Sequence, residues 1–229
     1  MPMDWRQVVP LIQRIKIEAT EDNGIVRVKE APSELTCIGK GTDAAVFVHD
    51  EFPRYAFKVY AIGREEKRKN EEKAYRLLKD SPYFPRFYGS GKSYIVISNE
   101  KGINLYDCLI RGIEIPKHVI DEVDRAMEHA RHVGLNPRDV HLKNIILQGD
   151  HVKLIDVSEY VNPGNDRRWE HLKEGYQLYY PLIASRKIPP SVLDFVNNQY
   201  KKQKSPTFSV QKFGKLLLPL LSKLLEERA

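Results

Sequence analysis

The sequence predicts an α+β fold in two lobes, a β-rich first lobe with one helix and a helix-rich second lobe. Short runs of β-branched and aromatic residues, bounded by glycine, proline and acidic turn residues, recur between residues 35 and 97. One charged helical pattern, residues 64–79, interrupts them. From residue 105 onward the patterns are helical apart from one hairpin, so we expect the two lobes to join near residues 98–102.

The predicted division is an N-terminal extension, residues 1–33, an N-terminal lobe, residues 34–98, and a C-terminal lobe, residues 99–229. Residues 1–31 mix apolar and charged positions around Pro10 and are expected to form a leading helix or arm. The strands predicted for the N-terminal lobe are 35–38, 45–49, 55–60, 84–88 and 94–97.

Helix 64–79 has an apolar inner stripe at three- and four-residue spacing, formed by Ala74, Tyr75 and Leu78. In the C-terminal lobe the helical patterns cover 105–110, 116–132 and the chain from about Trp169 to its end. A hairpin is predicted around Gly149-Asp150, between strands 145–147 and 152–155.

The charge pattern argues against a nucleic-acid partner. The chain carries 37 Lys and Arg against 31 Asp and Glu, a net charge of +6. The basic residues alternate with acids, as they do throughout residues 64–73. Such a run is typical of a solvated helix face with i,i+4 pairs, not of a stripe that follows phosphates. We therefore expect no nucleic-acid partner, while the sequence leaves the oligomeric state open.

Cysteine usage and hydropathy predict a cytoplasmic protein. The two cysteines, Cys37 and Cys108, are far apart and follow no disulfide or metal-binding pattern, which fits a reducing compartment. The most apolar run, residues 216–221, is too short to span a bilayer. We expect no transmembrane segment; the role of the apolar C-terminal helix stays open between packing on the second lobe and an external contact.

Two glycines lie between the first two predicted strands, in the run Gly39-Lys40-Gly41. Glycine lets a backbone approach a ligand closely and turn its N–H groups toward phosphate oxygens. A tight hairpin explains the same residues equally well. The run therefore leaves a phosphate-binding loop and a plain turn both open.

Lys58 lies in the middle of the apolar strand 55–60, where alternation places it on one face with Ala56 and Tyr60. An unpaired ammonium is costly to bury, so Lys58 requires an anionic partner or an edge position. Glu71 shares the inner stripe of the helix, whereas Glu72 lies on its charged side. We expect Glu71 to pair with Lys58; the alternative is a boundary acid in an ion-rich helix.

The densest polar run, residues 136–144, lies between a predicted helix and a predicted buried strand. Asp156 ends the second strand of the hairpin, which would bring Asn144 and Asp156 together at one end of two adjacent strands. A carboxylate and an amide oxygen suit Mg²⁺ that also holds phosphate oxygens. Asp139 lies nearby as a carboxylate able to orient or deprotonate a hydroxyl.

The order of glycine loop, strand lysine, helix glutamate, Asp-x-x-x-x-Asn loop and strand-end aspartate resembles the protein kinase superfamily. The resemblance covers roughly residues 34–172. Within the superfamily, the chain is similar to compact bacterial serine/threonine-protein-kinase-like proteins. Each motif alone has low specificity, but five in this order are specific. The resemblance implies a two-lobed kinase-like fold that uses ATP and Mg²⁺ to phosphorylate a hydroxyl.

The resemblance also implies a role for each matching residue. Lys58 would hold the α- and β-phosphates while paired with Glu71, Asp139 would be the catalytic carboxylate, and Asn144 and Asp156 would ligate Mg²⁺. The residues implied around the nucleotide are Gly39, Lys40, Gly41, Val46, Ala56, Lys58, Ile97, Ser98, Asn99 and Glu100. In that set the two glycines would cover the phosphates, Ile97 would be the gatekeeper, and the backbone of 98–100 would bond adenine.

The chain departs from the family pattern at several points. Ala44 replaces the third loop glycine, Pro137 replaces a structural histidine, and Asp156-Val157-Ser158 stands where Asp-Phe-Gly is usual. Asp166-Arg167-Arg168-Trp169 resembles the start of the helix whose aspartate braces the catalytic loop. Only nine residues then separate Asp156 from Asp166, too few for a long regulatory loop.

The acceptor is the least determined feature. Two residues after Asp139, His141 replaces the lysine of ordinary serine/threonine kinases, as in small-molecule phosphotransferases of the same fold, although Lys143 could substitute for that lysine. We expect transfer to Ser or Thr of a protein; a small-molecule kinase is the first alternative. A pseudokinase scaffold is the second, against which the retained lysine, aspartates and asparagine argue.

Overall fold

The computed structural model describes residues 4–22, 24–203 and 208–226. The strands are β1 (Lys16–Glu18), β2 (Arg27–Glu30), β3 (Leu35–Lys40), β4 (Ala44–His49), β5 (Tyr55–Tyr60), β6 (Phe87–Ser90), β7 (Tyr94–Ser98), β8 (Ile103–Asn104), β9 (Ile145–Gln148) and β10 (His151–Leu154). The helices are α1 (Val9–Ile12), α2 (Glu65–Leu78), α3 (Leu105–Arg111), α4 (Lys117–His132), α5 (Arg168–Ile183), α6 (Pro190–Lys201) and α7 (Val210–Glu226). The predicted two-lobed α+β class is confirmed. Residues 1–3 of the predicted leading arm and residues 227–229 of the predicted C-terminal helix lie outside the described residues.

The first lobe is built on a five-stranded antiparallel sheet with strand order β3-β4-β5-β7-β6. In its register Lys58 of the central strand lies between Val46 and Ile95. Phe57 and Val59 belong to a different buried cluster from Ala56 and Tyr60. The alternation predicted for β5 is therefore present, and the lysine lies on the face that carries α2.

Helix α2 covers that inner face. Its buried residues are Glu71, Ala74, Tyr75 and Leu78, which are the predicted inner stripe together with one carboxylate. Glu65 and Glu66 in its first turn and Arg76 in its last complement the helix dipole. Packing of the stripe, more than the modest helix propensity of a charged sequence, fixes α2 on the sheet.

The N-terminal segment covers the outer face of the same sheet. A 3-10 turn, Trp5–Val8, leads into α1, and β1 pairs with β2. The buried residues that it contributes to the outer cluster are Trp5, Val8, Ile12, Ile17 and Val26. The leading helix predicted within 1–31 is present at residues 5–12, whereas residues 16–18 and 27–30 form strands that were not predicted. The outer face carries Phe47, Phe57 and Val96, which would be exposed to water without this cover.

Strand β6 begins at Phe87, three residues later than predicted. Pro85 has no N–H to give to a sheet, which delays pairing. Phe84 is instead fully buried between the lobes, where its ring meets Tyr160 edge-on with centroids 6.1 Å apart.

The second lobe packs α4 beneath the hairpin of β9 and β10, which also pairs with the short strand β8. Glu122 of α4 is buried and accepts a hydrogen bond from the backbone N–H of Val152, 2.7 Å away. Gly102 lies at the junction of the lobes, where a Cβ would stand 2.3 Å from the carbonyl oxygen of Leu147. A side chain at residue 102 would therefore clash with β9.

None of the described helices has both the length and the hydropathy needed to cross a bilayer. The division of the chain at residues 33 and 98 stays a prediction.

Candidate active site

A cluster of charged groups joins the sheet, α2 and the end of the hairpin. The Nζ atom of Lys58 lies 2.6 Å from Oε2 of Glu71 and 2.9 Å from Oδ1 of Asp156. Glu71 has no exposed surface. Glu72, by contrast, pairs with Arg68 and Arg76 along the outside of the helix. The structure thus places Lys58 against Glu71, the acid of the inner stripe.

Charge and burial compete within this cluster. Burial opposes the ammonium of Lys58, but Asp156 and Glu71 outweigh it and raise the pKa of Lys58. Burial also opposes ionisation of Asp156, yet Lys58 outweighs it, helped by a hydrogen bond from Ser158, so the pKa of Asp156 lies below its usual value. Burial raises the pKa of Glu71, although Lys58 acts against this. Lys58 and Asp156 are therefore firmly charged at neutral pH.

Asp139 is held by two partners from the start of α5. Its backbone N–H donates to Oδ2 of Asp166, 2.7 Å away, and its Oδ1 accepts a hydrogen bond from Nη1 of Arg168. Asp139 has a positive φ of 57°, a conformation that is costly for a residue with a side chain. The hydrogen bond to Asp166 supports this strained backbone, and the one from Arg168 orients the carboxylate.

The surroundings of Asp139 set its protonation chemistry. Burial raises the pKa of Asp139 despite the neighbouring Arg168 guanidinium, and Asp156 adds to the rise. Burial lowers the pKa of His141 to about 4, and Arg168 contributes to the shift. His141 is therefore neutral at physiological pH, whereas the Asp139 carboxylate is a stronger base than an exposed aspartate.

Asn144 and Asp156 offer oxygens for a divalent cation. The backbone N–H of Ile155 donates to the carbonyl of Asn144, 2.9 Å away. This hydrogen bond brings Asn144 close to Asp156, the residue after Ile155. The Asn144 side-chain nitrogen donates to the carbonyl of Asp139 at 3.3 Å, leaving its amide oxygen available. Within the described residues, Oδ2 of Asp156 accepts no hydrogen bond. One carboxylate and one amide oxygen fit Mg²⁺, which takes its other ligands from phosphates and water.

Gly39 and Lys40 end β3, and Gly41 begins the tight turn into β4. The N–H of Gly41 donates to the carbonyl of Ala44 at 2.8 Å, and a Cβ on Gly39 would meet no atom within 4 Å. Lys40 is exposed. Asp43 at the tip pairs with Arg64, just before α2, at 3.0 Å. The ion pair between Asp43 and Arg64 therefore joins this compact turn to the start of α2. The space beside Gly39 is open.

Two of the three backbone N–H groups of the predicted hinge, residues 98–100, donate hydrogen bonds within the protein. Ser98 donates to the carbonyl of Arg86 at 2.8 Å, and Asn99 donates to that of Arg54 at 2.9 Å. Among the described residues the N–H of Glu100 donates to no protein acceptor, and the adenine contact expected at 98–100 stays a prediction. The inner face beside it carries Val46, Ala56 and Ile97, all in the inner cluster.

Two side chains at this site were not assigned a role from the sequence. Arg168 contacts Asp139, and the hydroxyl of Tyr60 donates to Oε2 of Glu71. Arg168 follows Arg167 directly, and nothing in the sequence indicates which of the two arginines contacts Asp139. Tyr60 could have been found, because alternation already placed it on the face of Lys58.

Comparison with known proteins decides the family. A Bacillus subtilis (strain 168) protein named "Putative serine/threonine-protein kinase YrzF" is 38% identical over 179 residues, which span 77% of this chain and 83% of that protein. The chain belongs to the protein-kinase-like superfamily. It is a kinase-like phosphotransferase, as the motif order predicted.

No protein-family model matches this kinase-like chain. Among solved structures, a co-crystal structure of WbdD and the kinase inhibitor LY294002 is similar, with a TM-score of 0.47 and 15% identity. The similarity covers 86% of this chain, but this chain spans only 48% of the WbdD chain.

Proposed function

We propose that this chain transfers the γ-phosphate of ATP to a serine or threonine hydroxyl of a protein. The observation that carries the proposal is the ion-paired cluster of Lys58, Glu71 and Asp156, with Asn144 linking it to the nearby Asp139, which Asp166 holds in place. Lys58 would bind the α- and β-phosphates. Asn144 and Asp156 would hold Mg²⁺, which supplies charge neutralisation of the phosphates.

In the proposed step, the acceptor oxygen forms a bond to the γ-phosphorus while the bond from phosphorus to the β,γ-bridging oxygen breaks. The acceptor proton passes to the carboxylate of Asp139, and ADP leaves with the bridging oxygen. Burial raises the pKa of Asp139, which improves its ability to take this proton. Positioning and charge neutralisation supply most of the acceleration, because the transferred group needs little covalent help.

Exposure at Asp139 favours a protein acceptor. The side chains of Asp139 and Arg168 are 38% and 31% exposed, so the carboxylate group is half-buried and partly open to solvent instead of sealed in a pocket. The segment from Asp156 to Asp166 is held down by Asn136, whose side chain donates to the carbonyls of Asn162 and Gly164. An extended polypeptide can therefore reach the carboxylate from outside.

The test is transfer of label from γ-labelled ATP to the protein itself and to an acidic generic protein, with Asp139→Asn and Asp156→Asn as variants. We expect Asp139→Asn to bind Mg-ATP normally and to lose transfer by roughly a hundredfold or more. Asp156→Asn should weaken Mg-dependent nucleotide binding itself. ATP binding without transfer to any acceptor would favour the pseudokinase alternative.

A small-molecule acceptor is the second candidate, and the observation that favours it is His141 in place of the usual lysine. Its neutral imidazole can hydrogen-bond a polar metabolite without adding charge. Label that appears in a metabolite pool but on no protein would decide for this candidate.

A further inference from the structure

One oxygen of the Glu71 carboxylate receives two hydrogen bonds. Nζ of Lys58 donates to Oε2 at 2.6 Å, and the hydroxyl of Tyr60 donates to the same oxygen. The other oxygen, Oε1, is buried and accepts no hydrogen bond within the described part of the chain. The orientation of this carboxylate is therefore set through Oε2 alone.

The two donors come from one rigid element. Lys58 and Tyr60 are two residues apart on β5, so their side chains project from the same face at a fixed spacing. Tyr60 is 4% exposed, and burial together with Glu71 holds the pKa of its hydroxyl well above the ordinary value. The hydroxyl thus stays protonated and remains a donor. Lys58 is shared with Asp156, whereas the Tyr60 hydroxyl contacts only Glu71 among the described residues.

From this geometry we propose that Tyr60 is a positioning residue, whose hydroxyl fixes Glu71 so that Glu71 in turn holds Lys58 in place for the nucleotide phosphates. Without the hydroxyl, Lys58 is the one hydrogen-bond donor to Glu71 in the described structure, and the carboxylate can turn about its last bond. Lys58 is then held mainly by its ion pair with Asp156 and is less well placed to bind the phosphates. The kinetic part of this inference rests on the proposed function.

Tyr75 provides a matched control. It lies one helical turn after Glu71 on α2, is 1% exposed, and its hydroxyl has no hydrogen-bond partner in the described residues. Tyr60→Phe and Tyr75→Phe remove the same atom from the same buried neighbourhood. Only the first removes a hydrogen bond to Glu71.

The kinetic test measures transfer by wild type, Tyr60→Phe, Tyr75→Phe and Glu71→Gln. We expect Tyr60→Phe to raise KM for ATP and lower kcat, with kcat/KM for ATP reduced about tenfold and KM for the acceptor unchanged. A loss of folded enzyme alone would lower kcat without moving KM. Tyr75→Phe should match the wild type. Because Tyr60 acts through Glu71, adding Tyr60→Phe to Glu71→Gln should reduce kcat/KM by less than about twofold more.

A readout that does not depend on turnover separates this inference from the proposed function. Proton–nitrogen NMR of the Lys58 ammonium should show a shift in Tyr60→Phe and no shift in Tyr75→Phe. The hydroxyl proton of Tyr60 should also give a slowly exchanging downfield signal in the wild type that moves in Glu71→Gln, a measurement that needs no Tyr60 variant.

Unchanged Lys58 and Tyr60 signals, or equal effects of the two Tyr→Phe changes, would overturn the role of Tyr60. Shifted signals together with wild-type kinetics in Tyr60→Phe would also overturn it, leaving a structural contact. If the wild type transfers no phosphate, the proposed function fails, and the NMR comparison still decides whether Tyr60 positions Lys58 through Glu71.

Discussion

His141 makes the stability of this protein depend on pH in a predictable direction. Burial lowers the pKa of His141 from 6.5 to about 4, with Arg168, Lys143 and Lys201 acting in the same direction and Asp156 against them. An unfolded chain therefore takes up a proton near pH 6.5, whereas the folded protein resists protonation until about pH 4. Stability is fully present above the higher value and is lost as the pH falls between the two.

The magnitude follows from the difference between the two values. A difference of about 2.5 units corresponds to about 3 kcal/mol, an upper limit because the imidazole is only half-buried and solvent screens it. The assay is urea unfolding of wild type and His141→Gln between about pH 7 and about pH 4. The free-energy difference between the two proteins should change by up to this amount as the pH falls.

Gln7→Ala is the control, because it changes an exposed side chain and removes no titratable group. We expect that substitution to leave the slope of stability against pH as it is in the wild type. A difference between wild type and His141→Gln that stays constant across the whole range would refute the reasoning.

Two further predictions concern the inner and outer faces of the sheet. Glu71→Gln should cost about 3 kcal/mol in unfolding free energy and slow transfer at least tenfold, because it breaks a buried pair with Lys58. Glu72→Gln should cost about 1–2 kcal/mol and leave transfer near the wild-type rate, because it weakens helix pairs with Arg68 and Arg76 that do not involve Lys58. Equal effects on transfer would contradict the assignment. Trp5→Ala should cost about 3–5 kcal/mol in unfolding free energy, because Trp5 is buried on the outer face, whereas exposed Gln7→Ala should stay within about 0.5 kcal/mol. A Trp5→Ala protein as stable as Gln7→Ala would show that the N-terminal segment does not support the sheet.

The features predicted well from the sequence are those set by local periodicity. Strand β5 begins and ends where predicted, because alternation continues across Lys58. Helix α2 begins one residue later and ends one residue earlier than predicted, since its stripe repeats at three and four residues. The choice of Glu71 over Glu72 used the same periodicity and matches the geometry.

Features set by contacts between distant segments could not be predicted in this way. The strands β1 and β2 are three and four residues long, too short for alternation to reveal them. The burial of Trp5 depends on a sheet formed by residues much later in the chain. The contact of Arg168 with Asp139 joins residues 29 positions apart, which local periodicity does not reveal.

Three ion pairs along helix α2 connect it to the rest of the protein and help to keep the charged cluster assembled. Arg64 before its first turn pairs with Asp43 of the glycine turn. Lys67 pairs with Glu159, in the segment that follows Asp156. Glu71, at its middle, pairs with Lys58. These ties lie at three- and four-residue intervals, so they share one side of the helix.

Displacing α2 would have to break all three ties together. The half-buried pairs of Arg64 and Lys67 contribute less than the fully buried pair of Glu71, which is costly to separate from its partner. The segment between Asp156 and Asp166 is itself one of the anchors, through Glu159 and through the hydrogen bonds to Asn162 and Gly164. In this chain the segment therefore helps to hold the helix in the position where Glu71 meets Lys58.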